Sequence, residues 1–183
     1  LSFSKSLARE LHKRNIEIIL HLPMEPWEKL RLEQDTIMAS MDDSAIRSII
    51  KRDLLNVPYV VGVSNHMGSK ATEDSATMQS VFNELKKRGL YFLDSFVSSK
   101  SICAEVSESV GLPFAKRNVF LDNEENPEYI KKQLHKLIEI AKRHGQALGI
   151  GHDRKTTLEA LKEVMPEIEK QGVKFVYVSQ LAR

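Results

Sequence analysis

Histidines and carboxylates follow the apolar runs of this sequence at regular intervals. His21 and Glu25 come with "IEIIL", Asn65 and His66 with "VVGVS", Asp94 and Ser95 with "LYFL", Asp122 and Asn123 with "NVFL", and His152 and Asp153 with "ALGIG". Neutral imidazoles bind divalent cations, and imidazoles or carboxylates of suitable pKa move protons. His21 and His66 could therefore supply two ligands to a hydrolytic metal centre, with Glu25, Asp94 and His152 available for acid–base work. Asn65, Ser95 and Asp122 occupy the same strand ends and are the expected substrate contacts.

Each residue also has a plainer use. His21 could be a satisfied, half-buried histidine, and Asn65 could simply shape the turn that exposes His66. Asp94 and Asp122 could cap helices or make Asx-turns, and His152-Asp153 could be an ordinary loop pair after Gly151. His12, His135 and His144 fall on predicted helices and read as solvated or helix-terminal charges. Cys103 lies in a helical stripe with no evident histidine partner, which argues against a thiol nucleophile. No GxGxxG or GxxxxGK[ST] loop offers a cradle for nucleotide phosphates.

The elements that must position these residues alternate along the whole chain. Phe3, Leu7 and Leu11 are spaced for a helix, and Ile16 to Leu22 reads as a strand. Asp42-Asp43 caps a helix carrying Ile46, Ile49, Ile50 and Leu54, and Val60 to Val63 is the next strand. Asp74 starts a helix with Met78, Val81, Phe82 and Leu85, stopped by Gly89 before "LYFLD". Ile102, Val106 and Val110 mark a short helix ended by Gly111 and Pro113, ahead of "NVFLD". Pro127 opens a helix through Ile138 that Gly145 ends before "ALGI". Thr156 opens the last helix, in which Pro166 predicts a kink or restart, and "VKFVYVS" after Gly172 reads as a closing strand. Such alternation builds a parallel sheet through right-handed crossovers, as an open doubly wound sheet or a closed barrel. Both place their sites at the strands' C-terminal ends.

Composition narrows the function classes. The chain of 183 residues is expected to form a single domain over 1–183, and 27 Lys and Arg against 25 Asp and Glu give a net charge of +2. With basic residues scattered rather than striped, nothing favours a nucleic-acid partner. One cysteine excludes an internal disulfide framework and a cysteine-rich zinc site. No run approaches the roughly 18 apolar residues of a membrane span.

Several motifs together resemble the divergent polysaccharide deacetylase family. They are "HLPMEP" (His21 to Pro26), "VGVSNHMGSKAT" (Val61 to Thr72), "LYFLDS" (Leu90 to Ser95), "VFLDNE" (Val119 to Glu124), "IGH" (Ile150 to His152) and the closing "VKFVYVSQL". The resemblance implies a distorted parallel β/α barrel similar to NodB-type carbohydrate esterases, a divalent metal (zinc by analogy), and removal of acyl groups from amino sugars in a glycan. It also implies that His66 and His21 take the metal-histidine positions and that His152 matches the general-acid histidine. NodB-like enzymes begin with a strand ending in an Asp-Asp pair that supplies a base and a ligand. This chain starts after that point, so a preceding segment carrying the third ligand is expected, together with an extracytoplasmic location. "WEKLRLEQD", Trp27 to Asp35, departs from the longer family loop, leaving Trp27 as either a sugar-stacking residue or a packed anchor. Three other readings fit the motifs: a glycan-binding protein without turnover, a small-molecule α/β enzyme, and a purely structural domain.

Overall fold

A computed structural model describes residues 3–183, which form an α/β fold with parallel strands in two compact units. One unit comprises the chain through Ala115 together with Ala182–Arg183, and the other is Lys116–Leu181.

The first unit runs α1 (Ser4–Lys13), β1 (Ile18–Met24), α2 (Asp43–Asn56), β2 (Val60–Met67), α3 (Ser75–Lys87), β3 (Tyr91–Asp94) and α4 (Cys103–Val110), and leads into β4 (Phe114–Lys116). Its sheet has the order β1-β2-β3-β4, with β1 parallel to β2 and β2 parallel to β3. The helix starts follow the expected capping chemistry. Asp42 accepts from the Ala45 N–H and Asp74 from the Thr77 N–H, so each carboxylate satisfies an orphan donor of the first turn. Ile46, Ile50, Met78, Phe82 and Leu85 are buried against Leu22, Val63 and Phe92 of the strands. Glycine is required at position 62, where the Tyr91 ring crosses the strand. A Cβ there would stand 2.3 Å from Tyr91 Cζ. Burial of that ring, with the charge of Glu17 nearby, pushes the Tyr91 hydroxyl up to about 12.

The second unit contains β5 (Val119–Phe120), α5 (Pro127–His144), β6 (Gly149–Ile150) and α6 (Lys155–Lys170). β5 and β6 pair in parallel, Val119 opposite Gly149 and Phe120 opposite Ile150. Asn126 caps α5 ahead of Pro127, and Ile130, Leu134 and Ile138 pack with Ala160, Val164 and Ile168 of α6.

Two expectations need correction. Residues 173–177 form no strand, and Val178–Gln180 is a 3₁₀ turn. Val173 packs on the core, but Phe175, Val176 and Tyr177 are 36%, 39% and 44% exposed in succession, so these three have no covered face. β-propensity without a ladder and a buried side does not make a strand. Pro166 does not restart α6, since the helix is continuous from Lys155 to Lys170. Buried Val164 and Ile168 flank the proline and hold both sides of it to the core. His12 lies exposed in the last turn of α1, as expected, and its ring also stacks on Tyr59 with centroids 3.9 Å apart.

Candidate metal centre and histidine–carboxylate dyad

Parallel pairing of β1 with β2 sets Pro23 opposite His66 and His21 opposite Ser64. Side chains alternate along strands, so Ser64 and His66 share one face of β2 and meet the exposed face of β1 that carries His21. The result is a chain of three polar groups. His21 Nδ1 lies 2.8 Å from Ser64 Oγ, and His21 Nε2 lies 3.2 Å from His66 Nδ1. Donating Nδ1–H to Ser64 leaves a lone pair on His21 Nε2, aimed at the neighbouring imidazole.

Two arrangements satisfy that juxtaposition. One ring can donate N–H to the other, or both lone pairs can face a shared cation. Zinc–nitrogen bonds of about 2.0–2.1 Å at a tetrahedral angle put ligand nitrogens about 3.3–3.4 Å apart. The observed separation therefore fits two ligands of one tetrahedral ion. The hydroxyl behind His21 has the place of the outer-shell acceptor that usually orients a ligating histidine. Glu33 Oε1 stands 4.0 Å from His66 Nε2 on the far side of that ring. Among the described residues, no cluster of three or more His, Cys, Asp or Glu side chains forms that could hold a metal.

The chain beyond His66 turns sharply. Met67 and Gly68 both have left-handed backbones, φ +54° and +92°, and a Cβ at Gly68 would come within 2.9 Å of Met24 Cβ. Asn65 secures this turn. Fully buried, it donates through Nδ2 to the Met67 carbonyl at 2.7 Å and accepts the Ser95 N–H through Oδ1 at 2.8 Å, while Ser95 Oγ donates to the Asn65 carbonyl. Two of the three residues expected to touch substrate, Asn65 and Ser95, thus bond each other and join β2 to the end of β3.

Glu25 and Asp94 each accept from one backbone N–H and one side chain. Glu25 Oε2 accepts from the Ala39 N–H and Oε1 from Lys70 Nζ, both at 2.7 Å, and its carbonyl receives the N–H groups of Lys70 and Ala71. Burial opposes ionisation of Glu25, but the bonds from Lys70 and Ala39 outweigh it and bring the carboxyl below its ordinary pKa. Asp94 is wholly buried, with Oδ1 accepting from the Phe96 N–H and Oδ2 from Ser101 Oγ. Cys103 is buried, which pushes its thiol pKa far up and leaves it inert as a nucleophile.

In the second unit the register of β5 and β6 carries two residues further and brings Asp122 to His152. Asp122 is 1% exposed, and its oxygens accept from His152 Nδ1 at 3.1 Å, the His152 N–H at 2.8 Å and Thr157 Oγ1 at 2.7 Å. Arg154 donates to its carbonyl. Desolvation raises its pKa, but these bonds and the nearby imidazole overcome that and hold it below the usual carboxylate range. The His152 side chain is 53% exposed, so the ring has a fixed tautomer on one edge and water on the other. Asp122, an expected substrate contact, thus has His152 and Thr157 as partners.

Ser64, Glu33, Arg154 and Thr157 were missed in the sequence. Only Ser64 had a visible signal, since it lies two residues before His66 on an apparent strand.

The chain matches the family model described as divergent polysaccharide deacetylase over residues 1–182. It is 36% identical over 162 residues to the uncharacterized protein YibQ of Escherichia coli, covering 88% of this chain and 51% of that protein. An uncharacterized protein of Haemophilus influenzae is 28% identical over 160 residues, covering 87% of this chain and 57% of its own length. The chain thus spans about half the length of these curated relatives. The crystal structure of an uncharacterized protein from Agrobacterium tumefaciens superposes with a TM-score of 0.94 at 26% identity, covering 97% of this chain and 73% of that one. No described helix is long and apolar enough to cross a membrane. With its family motifs on parallel strands, the chain belongs to the divergent polysaccharide deacetylase family.

Proposed function

We propose that this protein is a metal-dependent deacetylase that hydrolyses N-acyl groups of amino sugars in a glycan, working outside the cytoplasm. The observation that carries the reading is the pair His21 Nε2 and His66 Nδ1, 3.2 Å apart, with the other nitrogen of His21 on Ser64. These two imidazoles would hold the cation, zinc by the nitrogen donor set. Bound there, it supplies Lewis acidity to the amide carbonyl and to water.

The protein's own groups do the rest. Asp94 takes the proton of the attacking water and His152 protonates the leaving amine as the C–N bond breaks, while Asp122 keeps the ring in the tautomer and orientation for that transfer and stabilises the imidazolium. Glu25, Asn65 and Ser95 hold the strand-end turns rather than the substrate. A second reading, glycan binding without turnover, draws on the same commitment of Glu25 and Asp94, because neither offers an idle carboxylate as base.

The test compares two substrates on zinc-loaded protein. His152→Ala should slow acetate release from an N-acetylated oligosaccharide by about two to four orders of magnitude. It should spare an activated aryl acetate, whose leaving group needs no proton. Equal loss on both substrates would reduce His152 to a scaffold residue. Saturable glycan binding with no acetate release from the wild-type protein would favour the second reading.

A further inference from the structure

Trp27 is the only tryptophan in the sequence, and it is 61% exposed on the turn that follows β1. A single exposed apolar side chain needs no explanation by itself. This one is held from three directions. Its N–H donates to Ser69 Oγ at 3.0 Å, its indole Nε1–H donates to Glu73 Oε2 at 3.1 Å, and Lys70 Nζ lies over the ring, 5.5 Å from its centroid. The holders are themselves fixed. Lys70 is paired with Glu25, Glu73 accepts from Ser98 Oγ on its other oxygen, and Ser69 donates to Glu28. Ser69 is three residues past His66 and Trp27 three past the end of β1, so both belong to the C-terminal edge of the strands that carry the histidine pair.

A packed anchor would bury its ring. Here the polar edge is tied down and much of the apolar surface is left in water, which is the reverse. The electron-rich face of indole attracts the weakly positive C–H bonds on one face of a pyranose, and the surrounding hydroxyl, ammonium and carboxylates suit sugar hydroxyls. Fixing the ring in advance removes much of the ordering cost of binding.

We infer that Trp27 is a stacking platform for one pyranose ring of an oligosaccharide, at a subsite beyond the sugar that is deacetylated. The ligand class rests on the function proposed above, but the stacking site does not depend on turnover.

Because Trp27 is unique, its emission reports the site directly. Titrating the zinc-loaded protein with N-acetylglucosamine hexamer should give a saturable change in emission. By calorimetry, Trp27→Ala should bind the hexamer about ten-fold more weakly and Trp27→Phe, which keeps a ring but not the bond to Glu73, only a few-fold more weakly. The monomeric sugar should not distinguish the variants. Emission unmoved by the hexamer, at concentrations that saturate calorimetric binding or up to millimolar where none is seen, would overturn the inference. So would hexamer affinity unchanged in Trp27→Ala. Loss of thermal stability equal in Trp27→Ala and Trp27→Phe, with affinity intact, would identify a loop anchor and overturn it too. If the hexamer binds through Trp27 but no acetate is released, the deacetylase reading fails and the subsite stands. If acetate is released at the same rate from hexamer by wild type and Trp27→Ala, the subsite fails and the deacetylase stands.

Discussion

The two units use histidine against opposite kinds of partner. His21 meets a hydroxyl on one nitrogen and another imidazole on the other, on the exposed side of a sheet. His152 meets a carboxylate that is 1% exposed and bonded on every side. A lone pair facing a lone pair calls for a cation or a shared proton, whereas an imidazole on a buried carboxylate is held in one orientation by that acceptor. Residue type alone does not set what a histidine can do; the second atom that its ring touches narrows it.

The sharpest break in this contrast should come at His66. His66→Ala should weaken zinc binding by more than about 100-fold, beyond the 10–100-fold typical of outer-shell losses, since one imidazole remains where two converged. His144→Ala, in the last turn of α5, should leave zinc unchanged by equilibrium dialysis. Equal metal content in the two variants would remove the cation from the first unit.

Asp122→Ala should act on stability instead. It strands His152 N–H, His152 Nδ1 and Thr157 Oγ1 without their acceptor, at a cost of about 2–4 kcal/mol by urea unfolding, with zinc affinity intact. A drop in zinc affinity as large as that of His66→Ala would mean that the two histidine settings are not distinct. Ser64→Ala should be milder, weakening zinc by about ten-fold while the strand pair stays folded, because only the orientation of His21 is lost.

The smallest effect concerns acid. Glu25 and Asp122 both have folded pKa values below the ordinary carboxylate range. Their contribution to stability is complete above about pH 5 and is lost as the pH falls below about 4 through the folded values, because the unfolded chain takes up protons first. Urea midpoints measured from pH 6 to pH 3 should fall, and fall less steeply for Asp122→Asn than for the wild type. Parallel curves would show that the Asp122 carboxylate does not contribute to the loss of stability in acid.

Much of this was legible before any coordinates. Asp42, Asp74, Pro127 and the left-handed glycines at 89, 111 and 145 mark helix ends through local chemistry that sequence displays directly. The partners of the chemical residues were not, because they depend on register between distant strands. Once Phe120 is known to face Ile150, Asp122 and His152 follow at equal offsets of two residues. Glu25, expected to be available for acid–base work, has its oxygens on Lys70 and the Ala39 N–H, 45 and 14 residues away, partners that its local sequence does not display. "VKFVYVS" misled for the opposite reason: its composition was right, but no covered face awaited Phe175, Val176 and Tyr177.

The Tyr91 ring pressed across Gly62 separates what can drift from what cannot. No side chain can be added at position 62 without displacing an aromatic ring that is itself 6% exposed, so this part of the β2–β3 pairing tolerates no substitution. His66 stands four residues further along the same strand, at its partly open end. Substitutions there can remove or replace the chemistry while the strand beneath keeps its course. A lineage of such proteins can therefore lose or exchange its activity and retain its shape.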